Sequence, residues 1–313
     1  KNLGISKIID NSNINRTPNS TDLGFIVGPQ LNAASRIDDS FLASKILISN
    51  NINEIETISK KLNLLNEKRK LIENNIYEEA LIQAKNQEFE KFILVYGNNW
   101  HNGVLGIVAS KLINKFYKPT IVISFTNKVG VGSARSINNI DLGKIISNAN
   151  NNNILLGGGG HKMAAGLKIN LNNLRAFQEY LTITLDSVSK NIFKNIEQYD
   201  LEISSNDINL NLLEDIEKLE PFGSGNPEPC FVINDLKIEN VKILKGKHLL
   251  ILSQNDFMIN LKGICFNCID TELGDYLINY RNYKLAIGCL IQRDNFSNNE
   301  GLQLIIKDAM IID

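Results

Sequence analysis

The sequence feature that most constrains this 313-residue chain is a long segment, Ile52–Asn86, that contains neither glycine nor proline. Its apolar residues recur at spacings of three, four or seven positions, which predicts one amphipathic helix. These residues are Ile55, Ile58, Leu62, Leu65, Ile72, Ile76 and Ala80. A helix much longer than the usual ~12 residues indicates a strut between two compact regions. A coiled-coil dimer is the alternative, although polar residues interrupt the apolar seam.

The regions on either side of this helix differ in pattern. The first fifty residues are interrupted by glycine and proline, which predicts short helices joined by loops without a complete core. Residues 90–197 alternate between strand and helix patterns, which predicts an α/β domain with a mixed sheet. Residues 198–313 carry several short strand patterns, which predict a small OB-type barrel. We therefore expect an α/β plus all-β chain with segments 1–50, 51–89, 90–197 and 198–313.

Individual elements follow from the same patterns. In the α/β region we predict strands at Phe92–Tyr96, Thr120–Phe125, Val129–Ile137 and Met163–Ile169, and helices at Gly103–Phe116, Asp141–Asn148 and Leu171–Val188. In the last region we predict a helix at Leu210–Leu219 and strands at Phe231–Ile238, Lys242–Leu244, Leu249–Ser253, Met258–Phe266, Tyr283–Gln292 and Gly301–Ile312. The asparagine-rich segment Asn148–Asn153 is predicted to be a loop.

Charge is distributed unevenly along the chain. The whole sequence has a formal net charge of −1, but between Trp100 and Asn170 there are eight Lys or Arg residues and one acid, Asp141. This excess indicates a surface for an anionic ligand, with a basic helix face that has no partner as the alternative. No apolar run approaches the ~18 residues of a membrane span. Four cysteines without a targeting pattern favour the reducing cytoplasm. Because residue 1 is Lys, we expect a fragment of a longer protein.

Two glycine-rich clusters lie in the basic segment. Four glycines, Gly157–Gly160, precede His161 and Lys162. Glycines that adopt positive φ leave N–H groups free for an anion, so this segment predicts an anion-binding loop, with a flexible hinge as the alternative. The second cluster, Gly130–Ser136, places the guanidinium of Arg135 between two serine hydroxyls, a donor set that suits phosphate. Its alternative is a solvated arginine at the end of a strand.

Two further clusters carry candidate donors. In Trp100–Gly106, His101 follows a strand and opens a helix, where an anion can bind, although a capping histidine beside a packed Trp is equally compatible. In Gly28–Arg36, Arg36 ends a short helix, and its alternative role is an ion pair with Asp38 or Asp39.

A metal centre is not predicted. The three histidines are well separated and no Asp-x-Asp motif occurs, whereas metal-dependent phosphodiester hydrolysis needs clustered carboxylates and histidines. Cys265 and Cys268 have the spacing of zinc ligands but lack a second pair. We interpret them as buried strand cysteines, with zinc as the alternative.

Taken in this order, the four clusters and the segment Leu219–Pro229 resemble the RecJ family of single-strand-specific 5′→3′ DNA exonucleases, within the DHH phosphoesterase superfamily. The resemblance covers nearly the whole chain. It implies that 1–50 is the end of a DHH catalytic domain, 51–89 a connecting helix, 90–197 a DHH-associated domain and 198–313 an OB-fold domain. It also implies single-stranded DNA as the partner and a role in DNA repair and recombination. Mn²⁺ or Mg²⁺ would be held upstream of Lys1, and this chain would hold no metal.

The resemblance also implies roles for individual residues. The family's Asn-Ala-x-Gly-Arg motif falls on Asn32–Arg36, with Ser35 in place of the glycine. Its Gly-Ser-x-Arg-Ser strand falls on Gly132–Ser136 and its Gly-Gly-His loop on Gly159–His161. The implied catalytic residue is His161, near the scissile phosphate, and the implied phosphate-binding residues are Arg36, Ser133, Arg135, Ser136, Gly159, Gly160 and His101.

Three other functions remain open. A small-substrate DHH phosphodiesterase, acting on an oligonucleotide or cyclic dinucleotide, shares the Gly-Gly-His loop, but the β-rich end of the chain favours a polymeric substrate. An accessory domain like that of a tRNA synthetase resembles the middle third, yet would lack Asn32–Arg36 and Pro221–Pro229. The missing metal ligands also allow a non-catalytic module that binds single-stranded nucleic acid.

Overall fold

The computed structural model describes residues 2–12, 14, 16–87, 90–193, 198–255, 257–294 and 301–312. It divides into two compact units, unit 1 from Lys1 to Asn195 and unit 2 from Ile196 to Asp313. The segment boundaries predicted after residues 89 and 197 fall on residues outside the described ranges. Within those ranges, no helix is both long enough and apolar enough to cross a membrane.

Unit 1 begins with short helices, as predicted. They are α1 (Leu3–Asp10), α2 (Ser20–Asp22), α3 (Gly28–Ile37) and α4 (Phe41–Ile48), with a π-helical turn, Leu23–Val27, before α3. Their buried side chains share a core with the first half of the long helix that follows; its members include Ile8, Val27, Ala33, Ile46, Ile58 and Leu62. The first fifty residues therefore complete their core only with that helix.

The long helix, α5 (Ile52–Lys85), confirms the strongest prediction from the sequence. Asn51 starts it by accepting hydrogen bonds from the N–H groups of Asn53 and Glu54. The second half packs against the next helix, α6 (Asn102–Phe116), and burial of the predicted seam within unit 1 leaves no need for a coiled-coil partner. One polar break in the seam, Glu73, is buried and bridges Arg69 (2.5 Å) and Lys111 (2.6 Å).

A five-stranded mixed sheet forms the centre of the α/β region. Its strands are β1 (Ile93–Asn98), β2 (Thr120–Thr126), β3 (Val129–Arg135), β4 (Gly157–His161) and β5 (Ala164–Asn170), in the spatial order β1-β2-β3-β5-β4. Only β1 and β2 run parallel. One face packs against α7 (Leu142–Asn151) and α8 (Leu174–Asp186). On the other face, α5 packs against β1, and α6 packs against β2 and β3.

The outer edge of β1 is hydrogen-bonded by two glutamines, Gln83 in the last turn of α5 and Gln87 in the turn that follows this helix. The side-chain amide of Gln87 accepts from Leu94 N–H and donates to Leu94 C=O, both at 2.9 Å. Gln83 makes the same pair of bonds with Tyr96, at 3.0 and 2.8 Å. Two residues of the edge strand are thus satisfied by side chains one helical turn apart.

Two predictions in this region are wrong. Gly157–His161 is strand β4, paired antiparallel with β5, and none of its glycines has positive φ. The segment is therefore neither an anion-binding loop nor a hinge. Asn148–Asn151 forms the last turn of α7 rather than a loop, because Asn152 N–H continues the helical bonding to Asn148 C=O.

Unit 2 is a seven-stranded mixed sheet that is accompanied, in the residues described, by two short α-helices. The strands are β6 (Leu201–Ile203), β7 (Phe231–Ile233), β8 (Lys237–Leu244), β9 (His248–Gln254), β10 (Asn260–Cys265), β11 (Lys284–Arg293) and β12 (Leu302–Ile312), in the order β6-β7-β11-β12-β10-β9-β8. The helices are α9 (Leu210–Glu217) and α10 (Glu272–Ile278). In the described residues the end strands β6 and β8 do not pair, so the predicted barrel is not closed there.

The predicted strands of unit 2 need three corrections. The run Phe231–Ile238 is split between β7 and β8, and Lys242–Leu244 is the end of β8 rather than a strand of its own. Strand β6 and helix α10 lack a clear sequence pattern and were not predicted. Cys265 and Cys268 are both buried, which confirms that part of their interpretation. Only Cys265 lies in a strand, at the end of β10, whereas Cys268 lies in the following turn.

Candidate anion-binding site

Helix α6 meets the end of α3 through a glycine. A Cβ atom placed on Gly103 would lie 2.0 Å from the carbonyl oxygen of Arg36, so only glycine permits this approach. In return, the Arg36 side chain donates from Nη1 to Gly103 C=O at 3.0 Å. The last turn of α3 and the first turn of α6 therefore hold each other, and this contact fixes the Arg36 guanidinium beside α6.

Strand β3 brings a second guanidinium to the same helix. Arg135 and Ser133 are two residues apart on β3, so their side chains share one face of the sheet. Arg135 Nη1 donates to Ser133 Oγ at 3.2 Å and to Ala134 C=O at 2.9 Å. A Cβ on Gly106 of α6 would lie 2.6 Å from Arg135 Nη2 and 3.0 Å from Ser133 Oγ. These two side chains are thus packed directly against the second turn of α6.

The two guanidiniums lie close enough to influence each other. Burial lowers the pKa of Arg135 below its ordinary value, and the positive charge of Arg36 lowers it further. In the described part of the chain, neither arginine has a carboxylate partner. Asp38 pairs with Lys61 at 3.2 Å, so the alternative in which Arg36 pairs with the adjacent acids is wrong. Two half-buried like charges without a counter-ion form a site that favours an anion.

The sheet register places His161 in line with Arg135. Ala164 of β5 lies opposite Arg135 on one side and opposite His161 of β4 on the other. Residues directly opposite each other in antiparallel strands share a face, and two strand spacings put these backbones about 9.5 Å apart. The His161 side chain is exposed. We call the face of β3, β5 and β4 that bears Arg135 and His161 the open face.

Glycines leave part of the open face without side chains. A Cβ on Gly157 would meet no atom within 4 Å, and one on Gly166 would approach only Gly132 C=O, at 4.0 Å. In contrast, Gly160 is required by packing, because its Cβ would lie 2.4 Å from Ala164 C=O. Gly159 lies in the same cross-strand row as Gly166 and Ser133. The glycines therefore supply space and close strand pairing, and the donors of the site come from side chains.

Two predicted site residues are engaged elsewhere. The Ser136 hydroxyl is buried and donates to Ile140 C=O at 2.7 Å. His101 caps α6, where its Nδ1 accepts from Gly103 N–H at 3.2 Å, and its side chain is exposed. The neighbouring Trp100 is buried and donates to Glu79 at 2.8 Å. The structure thus shows His101 as a capping residue. Of the predicted site residues, it brings together Arg36, Ser133 and Arg135, and it places His161 and Gly159 on the same open face as Arg135.

Gly103 and Gly106 were not singled out as individual site residues from the sequence. Their spacing of three residues places both on one side of a helix, which is a signal for close approach by neighbouring elements. What approaches them, a carbonyl of α3 and a guanidinium of β3, is visible only in the fold.

The described residues do not fit a metal centre. Within the ranges that the structure covers, no three His, Cys, Asp or Glu side chains come together in a way that could hold a metal ion. The site can bind and orient a phosphate group through two guanidiniums and a hydroxyl.

Two protein-family models match this chain. The family model of the DHHA1 domain matches residues 89–185, and that of the RecJ OB domain matches residues 199–308. The chain is 32% identical over 309 residues to the single-stranded-DNA-specific exonuclease RecJ of Haemophilus influenzae, covering 94% of this chain and 52% of that protein. For RecJ of Bacillus subtilis the identity is 28% over 299 residues, with coverages of 94% and 37%. The chain thus spans about half the length of these relatives, or less.

A solved structure shows the same fold. The crystal structure of RecJ in complex with Mn²⁺ from Thermus thermophilus aligns with a TM-score of 0.79 and 22% identity. The alignment covers 99% of this chain and 44% of that one.

Proposed function

Because this chain carries a DHHA1 domain followed by a RecJ OB domain and so belongs to the RecJ family, we propose that it is the substrate-binding part of a single-stranded-DNA-specific 5′→3′ exonuclease. The observation that carries this proposal is the half-buried pair Arg36 and Arg135, which has no carboxylate partner in the described residues. A phosphate dianion at the end of a DNA strand supplies the negative charge that this pair of arginines lacks.

The open face would fix the direction in which the DNA strand lies across it. Arg36, Arg135 and Ser133 would bind the 5′-terminal phosphate. His161, two strand spacings away on the same face, would contact the next phosphate, the scissile one. The absence of side chains at Gly157 and Gly166 leaves room for the backbone of the strand between these contacts. In this arrangement an N–H group of the His161 ring donates to a phosphate oxygen.

Unit 2 would supply a second contact with single-stranded DNA. The turn between β8 and β9 and the adjoining strand residues expose Lys242, Lys245 and Lys247. Beside them the rings of His248 and Phe266 meet edge to face, with centroids 5.4 Å apart. Lysines that track a phosphate backbone beside an aromatic surface for bases are typical of proteins that bind single strands.

The metal chemistry would come from residues outside this chain. RecJ of Thermus thermophilus has been crystallised with Mn²⁺ and with Mg²⁺. Since the described residues do not fit such an ion, we propose that a DHH domain in the remaining half of the protein holds it, and that residues 1–50 are the end of that domain. We also propose a role in DNA repair and recombination in the cytoplasm, a reducing compartment that suits a chain in which Cys265, Cys268 and Cys289 form no disulfide.

Replacement of Arg135 tests the phosphate site. We expect Arg135→Ala to weaken binding of a 5′-phosphorylated oligonucleotide by on the order of 1.5–3 kcal/mol, because a charge-assisted contact is lost. A 5′-hydroxyl oligonucleotide should be affected much less. Fluorescence anisotropy of the 313-residue chain at several salt concentrations measures both, and binding of each strand should weaken as salt rises.

Lys144→Ala is the matched control for this experiment. Lys144 is an exposed cation of the same basic segment, on α7, with Asp141 3.8 Å away. Its loss should weaken both oligonucleotides slightly and equally. Equal, small losses from Arg135→Ala and Lys144→Ala would show that Arg135 is ordinary surface charge and would contradict the proposed site.

Incubation of the chain with labelled single-stranded DNA and Mn²⁺ tests whether this chain binds DNA without hydrolysing it. We expect binding without degradation, because the residues described here do not assemble a metal site. Degradation that persists at constant specific activity through further purification would contradict the proposal that the metal is held elsewhere.

A further inference from the structure

Two glycines of α6 face different kinds of atoms. Gly103 faces backbone, since its Cβ would lie 2.0 Å from Arg36 C=O. Gly106, one turn further on, faces the end of a side chain, since its Cβ would lie 2.6 Å from Nη2 and 3.3 Å from Cζ of Arg135. A carbonyl in a helix cannot move without its helix, whereas a guanidinium can move alone. The two positions therefore differ in what a substitution would displace.

Arg135 is held from two sides. Its own strand holds Nη1 through Ser133 Oγ and Ala134 C=O, at 3.2 and 2.9 Å. On the other side, Nη2 fills the space that a side chain at position 106 would occupy. The missing side chain of Gly106 thus defines where the guanidinium lies against α6.

We propose that Gly106 is a positioning residue that sets the place of the Arg135 guanidinium and, through it, the selectivity for a terminal phosphate over a terminal hydroxyl. This inference rests on the proposed function of Arg135. A methyl group at position 106 needs about 1 Å more room to reach an ordinary contact distance of 3.5–4.0 Å. A displacement of that size is enough to spoil a two-bond contact between guanidinium and phosphate.

The variant Gly106→Ala should fold normally. The atoms that must yield are the end of a flexible side chain and a hydroxyl that can rotate, so α6 and β3 can keep their places. Alanine also has a higher helix propensity than glycine, and we expect an unfolding midpoint that is unchanged or raised. Selectivity would thus be lost without loss of stability.

The test compares four variants of the full 313-residue chain: Gly106→Ala, Ser110→Ala, Arg135→Ala and the double variant of positions 106 and 135. Ser110 is the matched control, an exposed residue one turn along α6 whose hydroxyl donates to Gly106 C=O. The readout is the ratio of the Kd values for 5′-hydroxyl and 5′-phosphorylated single strands. Gly106→Ala should lower this ratio at least fivefold, with 5′-hydroxyl binding unchanged within twofold, and Ser110→Ala should leave it unchanged. In the Arg135→Ala background, Gly106→Ala should add nothing.

Each other outcome contradicts a specific statement. If Arg135→Ala lowers the ratio and Gly106→Ala does not, the positioning role is wrong and the proposed phosphate site stands. If Gly106→Ala weakens both strands equally, or still acts in the Arg135→Ala background, it does not act through Arg135. If neither variant changes the ratio, the proposed phosphate site itself fails and the inference fails with it.

Discussion

Helix α6 and strand β4 both carry glycines close to the site, but these glycines make different contacts. Those of α6 face the two arginines, Gly103 at the Arg36 carbonyl and Gly106 at the Arg135 guanidinium. Those of β4 face hydrophobic packing, a neighbouring strand or open space; Gly158, for example, faces Ile146. The conspicuous run of four glycines therefore shapes a surface, whereas the two separated glycines of α6 hold the cationic groups. The number of glycines in a segment does not indicate which segment positions the cationic side chains.

Among alanine substitutions of these glycines, the largest loss of stability is expected at position 103. Gly103→Ala would place a Cβ 2.0 Å from Arg36 C=O and 2.9 Å from its carbonyl carbon, so α3 and α6 must separate. We expect the free energy of unfolding to fall by about 3 kcal/mol, at the upper end for overpacking, despite the gain in helix propensity. Urea unfolding followed by circular dichroism measures this loss. A loss below about 1 kcal/mol would show that the junction adapts and that α6 does not fix Arg36.

A smaller loss of stability is expected on β4. Gly160→Ala would bring a Cβ to 2.4 Å from Ala164 C=O and 2.5 Å from Ala165 Cα, but β4 is an edge strand that can shift. We expect the free energy of unfolding to fall by about 1–2 kcal/mol. Gly159→Ala is the control in the same strand, because its nearest neighbour would be Ser147 Oγ at 3.8 Å. Equal losses at 159 and 160 in urea titrations would contradict the observed pairing of β4 with β5.

The smallest change in stability is expected at Gly157, the first residue of β4. A Cβ on Gly157 meets nothing within 4 Å, so Gly157→Ala should change the free energy of unfolding by no more than about 0.5 kcal/mol. A thermal melt beside the wild-type chain is sufficient to measure it. A drop of several degrees in Tm would mean that the open face is covered at this position.

Much of the fold can be predicted from the pattern of apolar side chains. Helix α5 and strand β5 have periodic patterns, β1 and β2 are continuous apolar runs, and the predicted bounds of all four agree with the structure to within a few residues. The sequence does not predict strand β4, because glycine has no side chain to show alternation and has a low strand propensity. Whether the sheet of unit 2 closes into a barrel depends on whether its two end strands pair with each other. The residue pattern within one β-strand carries no information about that pairing.

The site was predicted in part, for a physical reason. Arg135 and Ser133 are two residues apart, so their common face follows from strand geometry alone. That Arg36 joins them depends on the contact between α3 and α6, which lie far apart in sequence. Ser136 matches the same motif but lies beyond the end of β3, where its hydroxyl closes a turn.

The glutamine pairs at the outer edge of β1 have a consequence for self-association. An edge strand with free N–H and C=O groups can add a strand from another molecule, and such growth leads to aggregates. At Leu94 and Tyr96 the amide groups of Gln87 and Gln83 already occupy those positions and imitate a neighbouring strand. The last turn of α5 and the turn that follows it therefore protect the sheet from edge-to-edge pairing with a second chain. Fraying of that helical end would remove this protection before any strand of the sheet had separated.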